Sequence, residues 1–149
     1  MIKTRRIHIL LSFIFSFGII NSQVMIGFAR GSNVPHQLIG KWQWIESSGG
    51  FAGQITNPKT ENFELQVDFT KKGIYNEWKD NKLVHCYKFS ITMGNSMLSS
   101  GPTSIISYKS KADPKANIIS DSFEFKGKDT LILKNECHDC YTRVFVRKK

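Results

Sequence analysis

Residues 62–70 read NFELQVDFT. In an extended chain successive side chains point to opposite sides, so Phe63, Leu65, Val67 and Phe69 fall on one face and Glu64, Gln66 and Asp68 on the other. A segment of this kind offers one face to a core and one to water, as in an antiparallel sheet with a single buried side. The same reading extends in both directions. Upstream, Trp42 and Trp44 share a face in a strand at about 41–46; downstream, Ile74 and Trp78 share one in a third strand. Lys79-Asp80-Asn81-Lys82 then reads as a tight hairpin, because Asp and Asn tolerate positive φ. The longest strand follows over 82–92, with Leu83, His85, Tyr87, Phe89 and Ile91 on one face. Residues 93–117 are rich in Gly, Ser and Pro and read as loops around one short strand at 105–108. Ile119, Phe123 and Phe125 mark a sixth strand, which turns at Lys126-Gly127-Lys128-Asp129 into Leu131 to Leu133, and the last strand covers 141–147.

From residue 31 onward almost no apolar positions recur at helical spacing, so the chain is all-β. Its 149 residues hold one domain of ordinary size. Hydrophobic residues at 40% and aromatics at 12% suffice for a core and exclude a collagen-like or disordered chain. About eight short antiparallel strands either close into an up-and-down barrel or stack as a sandwich. Closure alone removes exposed edges.

The N-terminal segment predicts export. Lys3, Arg5 and Arg6 precede the uncharged run ILLSFIFSFGII over 9–20, which together read as the basic and apolar regions of a secretory signal. That run spans roughly 18 Å as a helix, short of the roughly 30 Å of hydrocarbon in a membrane. A longer helix reaching Phe28 would be an uncleaved anchor; the signal-peptide reading assigns 1–29 to the leader, with cleavage after Ser22 or Ala29, and 30–149 to the domain. No cysteine occurs before Cys86, so the thiol of a lipoprotein anchor is missing and no stable membrane attachment is expected after cleavage. Removing three bases and no acids lowers the formal charge from +9 to +6. The remaining bases are spread over strands and turns, as in a soluble surface with protected edges, and nucleic acid is not an expected partner. The expected location is secreted or periplasmic.

Leu38-Ile39-Gly40-Lys41-Trp42 places a Gly-x-Trp at the start of the first strand, a Gly-rich loop follows at 48–53, and the chain ends in Phe145-Val146-Arg147. The domain resembles the lipocalin-like small secreted β-barrels of the calycin type. That resemblance implies a closed antiparallel up-and-down barrel of about eight strands. It further implies structural roles for Gly40, Trp42 and Arg147: the tryptophan packs across the barrel floor and an arginine from the final strand lies over its indole. Closure brings the end of the last strand beside the start of the first, so Arg147 is a better partner for Trp42 than Arg143. The family's Thr-Asp-Tyr element near the penultimate turn is missing here, and a Cys-x-x-Cys pair is not a general feature of the family. The resemblance implies a small hydrophobic or amphipathic ligand inside the barrel without naming it.

Cys137-His138-Asp139-Cys140 can bind a metal, form a redox disulfide or staple a hairpin. Nothing near Cys137 looks helical, which disfavours a thioredoxin-type site. A metal site could draw on Cys86, Cys137, Cys140 and His85 or His138 if the fold brought them together, whereas an oxidising compartment favours one structural disulfide and one spare thiol. The residues 49–53 lack the Gly-Lys-Ser/Thr ending of a phosphate-binding loop and read instead as a loop at the barrel mouth, with Phe51 closing the opening. No nucleophile elbow, metalloprotease helix or kinase set is present, so no enzyme and no cofactor are expected.

The expected ligand-binding set is Trp44, Phe69, Trp78, His85, Tyr87 and Phe123, an apolar lining with His85 and Tyr87 as its polar groups. The competing reading is that these aromatics fill a solid core. The domain would then be an interaction module that holds a protein partner through the loops at 47–58 and 93–117. Asp121 shares parity with Phe123, which makes it a candidate for a further inward polar group, but the favoured expectation is a strand end in solvent.

Overall fold

The computed structural model describes residues 34–110, 113 and 119–149. The expected leader at 1–29 lies outside the described residues, as do 111, 112 and 114–118.

Among the described residues nine strands and one helical turn follow in order: β1 (Gly40–Gly49), β2 (Gln54–Thr56), α1 (Pro58–Glu61), β3 (Leu65–Phe69), β4 (Ile74–Lys79), β5 (Lys82–Asn95), β6 (Pro102–Ser110), β7 (Ile119–Lys126), β8 (Thr130–Asn135) and β9 (Tyr141–Arg147). Consecutive strands from β3 to β9 pair antiparallel, and β1 pairs with both β3 and β9. Eight strands therefore close into an up-and-down barrel. The short β2 pairs with β1 along Ser47 to Gly49, beyond the stretch that β3 occupies.

The turn at Asp80-Asn81 has φ of 49° and 62°, the two positive values that a two-residue hairpin turn requires. Elsewhere the element boundaries differ from expectation for local reasons. The strand expected over 62–70, β3, starts at Leu65 because Pro58–Glu61 forms a helical turn first. Asn57 caps it: its Oδ1 accepts from the amides of Lys59 and Thr60, and Thr60 Oγ1 accepts from the Asn57 amide in return. The stretch 93–117, expected to be mostly loop, instead contains the end of β5 and all nine residues of β6, which pair from Tyr87 with Ser110 to Asn95 with Pro102. Past Lys88 the neighbouring strand β4 has run out and before Ile105 β7 has not begun, so the hairpin tip at 93–95 and 102–104 is a two-stranded ribbon whose one large apolar side chain, Met93, gives no alternation to read.

Two bulges set which side chains point inward. In β1 the register shifts between Trp44 and Glu46, so Ile45 is extra and exposed while Trp44 and Ser47 both turn into the barrel. In β5 the shift lies opposite Glu77 and Trp78. His85 pairs with Glu77, whereas Leu83 pairs with Trp78 and is half exposed, so Leu83 does not share the face of His85 and Tyr87 as expected.

One end of the barrel is sealed. Trp42 is fully buried, its Nε1 donates to the Leu38 carbonyl over 2.9 Å, and the Arg147 guanidinium lies 4.1 Å from its ring centroid. Arg147 also donates to the carbonyls of Ile39 and Gln37 and so ties the entering chain to the last strand. Gly40 is needed where these meet: its φ is +128°, and a Cβ there would sit 3.1 Å from Arg147 Nη1. Above this floor Val67, Phe69, Ile106, Leu131, Leu133 and Phe145 are completely buried. Each such side chain contributes about 1.5–3 kcal/mol by leaving water.

Candidate functional site

At the other end the barrel opens into a cup with a cavity volume of about 560 Å³. Ring pairs form two walls. On one, Trp44 and Phe63 stack with centroids 5.5 Å apart. On the other, Tyr87 stacks against His85 at 5.5 Å and against Tyr75 at 6.1 Å, while Tyr75 packs on Tyr108 at 4.9 Å. The β1 bulge brings Ser47 within reach of Trp44, whose Nε1 donates to Ser47 Oγ over 2.9 Å, so the buried indole N–H is satisfied.

Charged groups converge at the bottom of the cup. Arg143 on β9 donates from Nη2 to Asp121 Oδ2 on β7 at 3.1 Å and from Nη1 to Glu77 Oε2 on β4 at 3.4 Å. Tyr75 donates to the same Glu77 oxygen, Tyr108 donates to Asp121 Oδ2 over 3.0 Å, and Asn135 donates to Asp121 Oδ1. Asp121 is completely buried, and its donors replace the water it has lost. Burial alone pulls the Arg143 pKa down, but Tyr75, Asp121, Tyr108 and Glu77 outweigh it and hold the guanidinium above its ordinary value, firmly cationic. Burial pushes the hydroxyls of Tyr75 and Tyr108 well above their usual range; the nearby carboxylates add to this and Arg143 opposes it. Both phenols are therefore donors. Arg143 Nε is buried without an acceptor.

Of the six expected ligand-binding residues, the structure brings Trp44, His85 and Tyr87 together on the cup wall, and Tyr87 Oη lies 3.1 Å from His85 Nδ1. Phe69 belongs to the buried core above the floor instead, wedged between the rings of Tyr75 at 5.1 Å and Phe89 at 5.3 Å. Phe123 packs beside Phe125 in the core. Trp78 shares a face with Ile74 as expected, but that face points outward: Trp78 lines a shallow depression on the outer wall with Lys41, Gln43 and Gln66. Tyr75 and Glu77, at the alternate positions of β4, point inward. Counting apolar residues selects the wrong face of this strand because the interior there is polar.

Asp121 is not at a solvent-exposed strand end but in the interior, where Arg143, Tyr108 and Asn135 make its burial tolerable. The site residues that sequence reading passed over are Glu77, Arg143, Tyr75 and Tyr108. The available signal was parity: Arg143 alternates with the buried Phe145, and Asp121 with Phe123.

The mouth is shaped by glycine and cystine. Cys137 and Cys140 are disulfide-bonded with Cα atoms 5.6 Å apart, which occupies the thiols a metal site would use, and Cys86 is free. Next to this hairpin Gly49 has φ +146°, and a side chain there would run into the Cys140 carbonyl. Phe51, expected to close the opening, is instead 97% exposed at the tip of the β1–β2 turn. No family model, curated protein or solved structure matches the chain.

Proposed function

We propose that this is an exported lipocalin-like protein that carries a small amphipathic molecule in the cup. One observation carries the reading: the barrel is plugged by Trp42 and Arg147 at one end and hollow at the other, where stacked aromatic walls surround a few convergent polar groups. This combination of apolar lining and sparse fixed polar groups is what binding pockets for small molecules share. A volume of about 560 Å³ falls within the usual range for such pockets. Burial of the apolar part against Trp44, Phe63 and Tyr87 would supply affinity, and the Arg143 cluster would orient the polar end.

Native mass spectrometry of protein purified from its own host tests the proposal, with Trp44 fluorescence as a second readout. A retained small molecule whose removal changes Trp44 emission, and whose rebinding is lost in Tyr87→Ala, supports it. Empty protein, together with an emission that no apolar probe alters, counts against it.

A second reading draws on the exposed Phe51 and Ile55 beside the mouth. Apolar side chains presented on a loop suit contact with a protein partner. A partner recovered from the host envelope that is released by Phe51→Ser but not by Tyr87→Ala would favour that reading.

A further inference from the structure

We infer that the cup selects ligands whose polar end is cationic, such as a primary or quaternary amine on an aromatic or aliphatic body; this rests on the ligand-binding reading above. Arg143 is the only Lys or Arg among the described residues that line the cup, and it is already bonded to two carboxylates. One guanidinium between Glu77 and Asp121 leaves one formal negative charge among these three groups, and Glu61 at the rim adds another. An anionic ligand would therefore approach a guanidinium whose charge is more than matched. The orphan Nε of Arg143 offers such a ligand nothing, because that atom is closed to solvent and so to anything in the cup.

A cation meets the opposite conditions. Glu77 accepts both its bonds, from Tyr75 and from Arg143, on Oε2, which leaves Oε1 without a partner among the described residues. The cup wall also holds the aromatic rings of Tyr87 and Trp44, whose negative π-clouds attract ammonium groups; Phe63, stacked on Trp44, already carries one such contact, with Lys79 Nζ 3.9 Å from its ring centroid. Among the described residues no lysine lines the cup; Lys79 rests its ammonium on the Phe63 ring, and salt screens the exposed lysines over roughly 8–10 Å.

Three probes with one apolar skeleton separate these possibilities: 2-(1-naphthyl)ethylamine, 1-naphthaleneacetate and 2-(1-naphthyl)ethanol, each titrated by calorimetry at pH 7 and near-physiological salt. The amine is expected to bind about tenfold more tightly than the carboxylate, with the alcohol between them. Glu77→Gln should reduce the amine's advantage to about twofold, and Glu61→Gln, on the exposed helical turn where folding is not at risk, should narrow it less. Equal binding of all three, or tightest binding of the naphthaleneacetate, overturns the charge selectivity while leaving a ligand-binding cup. Failure of all three to bind, in protein that also arrives empty from its host, overturns both readings together.

Discussion

Arg143 and Arg147 lie on the same strand and serve opposite ends of one barrel. Arg147 seals the floor: its guanidinium covers the Trp42 indole and its N–H groups go to the backbone carbonyls of Gln37 and Ile39, with the Asp129 carboxylate 3.5 Å from Nε. Arg143 stands in the cup among Asp121, Glu77 and phenol hydroxyls. The floor arginine spends its hydrogen bonds on neutral backbone and packs on an apolar ring, so its neighbourhood is a joint. The cup arginine is held by carboxylates that need it as much as it needs them, so its neighbourhood is a buried polar network next to empty space. Networks of that kind are costly to keep unless every member is paired, and a hollow beside one is where a ligand has something to orient against.

Removing each arginine in turn should separate the two roles, beginning with the larger effect. Arg143→Met leaves Asp121 fully buried and Glu77 nearly so without their counter-ion, and a loss of about 3 kcal/mol in urea unfolding is expected. Replacing the three charges with apolar residues, Arg143→Met with Glu77→Met and Asp121→Leu, should recover part of that loss, the remainder falling on the Tyr75, Tyr108 and Asn135 donors left without acceptors, while leaving the cup without charge selectivity. If the triple variant were no more stable than Arg143→Met, the cost would lie in packing and the contrast with Arg147 would dissolve.

Arg147→Met should cost less, about 1–2 kcal/mol, because a methionine still covers the Trp42 ring and the two carbonyls it releases belong to the half-buried residues Gln37 and Ile39. Naphthyl-probe affinity should stay within about twofold of the parent, since nothing in the cup is touched. A drop in affinity equal to that of Glu77→Gln would mean that floor and cup are one unit.

The smallest expected effect concerns the tip of the β5–β6 hairpin, where the Ser96 hydroxyl and the Met97 amide donate to the Glu136 carboxylate. Burial pushes the Glu136 carboxyl up, but bonds from the Ser122 and Ser96 hydroxyls and from the Met97 and Ser122 amides together hold it below its ordinary value of 4.5. Because the folded pKa is depressed, the stabilisation is complete above the unfolded carboxyl range and disappears as pH falls through the lower folded value. The protection factor of the Met97 amide, which corrects for the intrinsic slowing of exchange in acid, should therefore stay constant down through the ordinary carboxyl range and fall once pH drops through the lower folded value, and Glu136→Gln should abolish that pH dependence.

Much of this barrel was legible in the sequence. Alternation in 62–70 marks the buried face of β3, Asp80-Asn81 specifies its turn, and Gly40, Trp42 and Arg147 find one another because antiparallel closure leaves the first and last strands no other place to meet. Half of the expected lining was legible too, in Trp44, His85 and Tyr87. The charged half was not. Glu77 and Asp121 look like residues for water, and Trp78 like a residue for the core, when each strand is judged alone.

Local alternation, turn chemistry and the two sealing side chains are properties of neighbouring residues, so the order of amino acids determines them directly. Which face of β4 turns inward, and whether a carboxylate can live inside, depend on Arg143, which lies 66 residues from Glu77 and 22 from Asp121 along the chain, and on bulges that set register across strands. A buried charge becomes affordable only when its partners arrive from distant strands, and that arrival is a tertiary event.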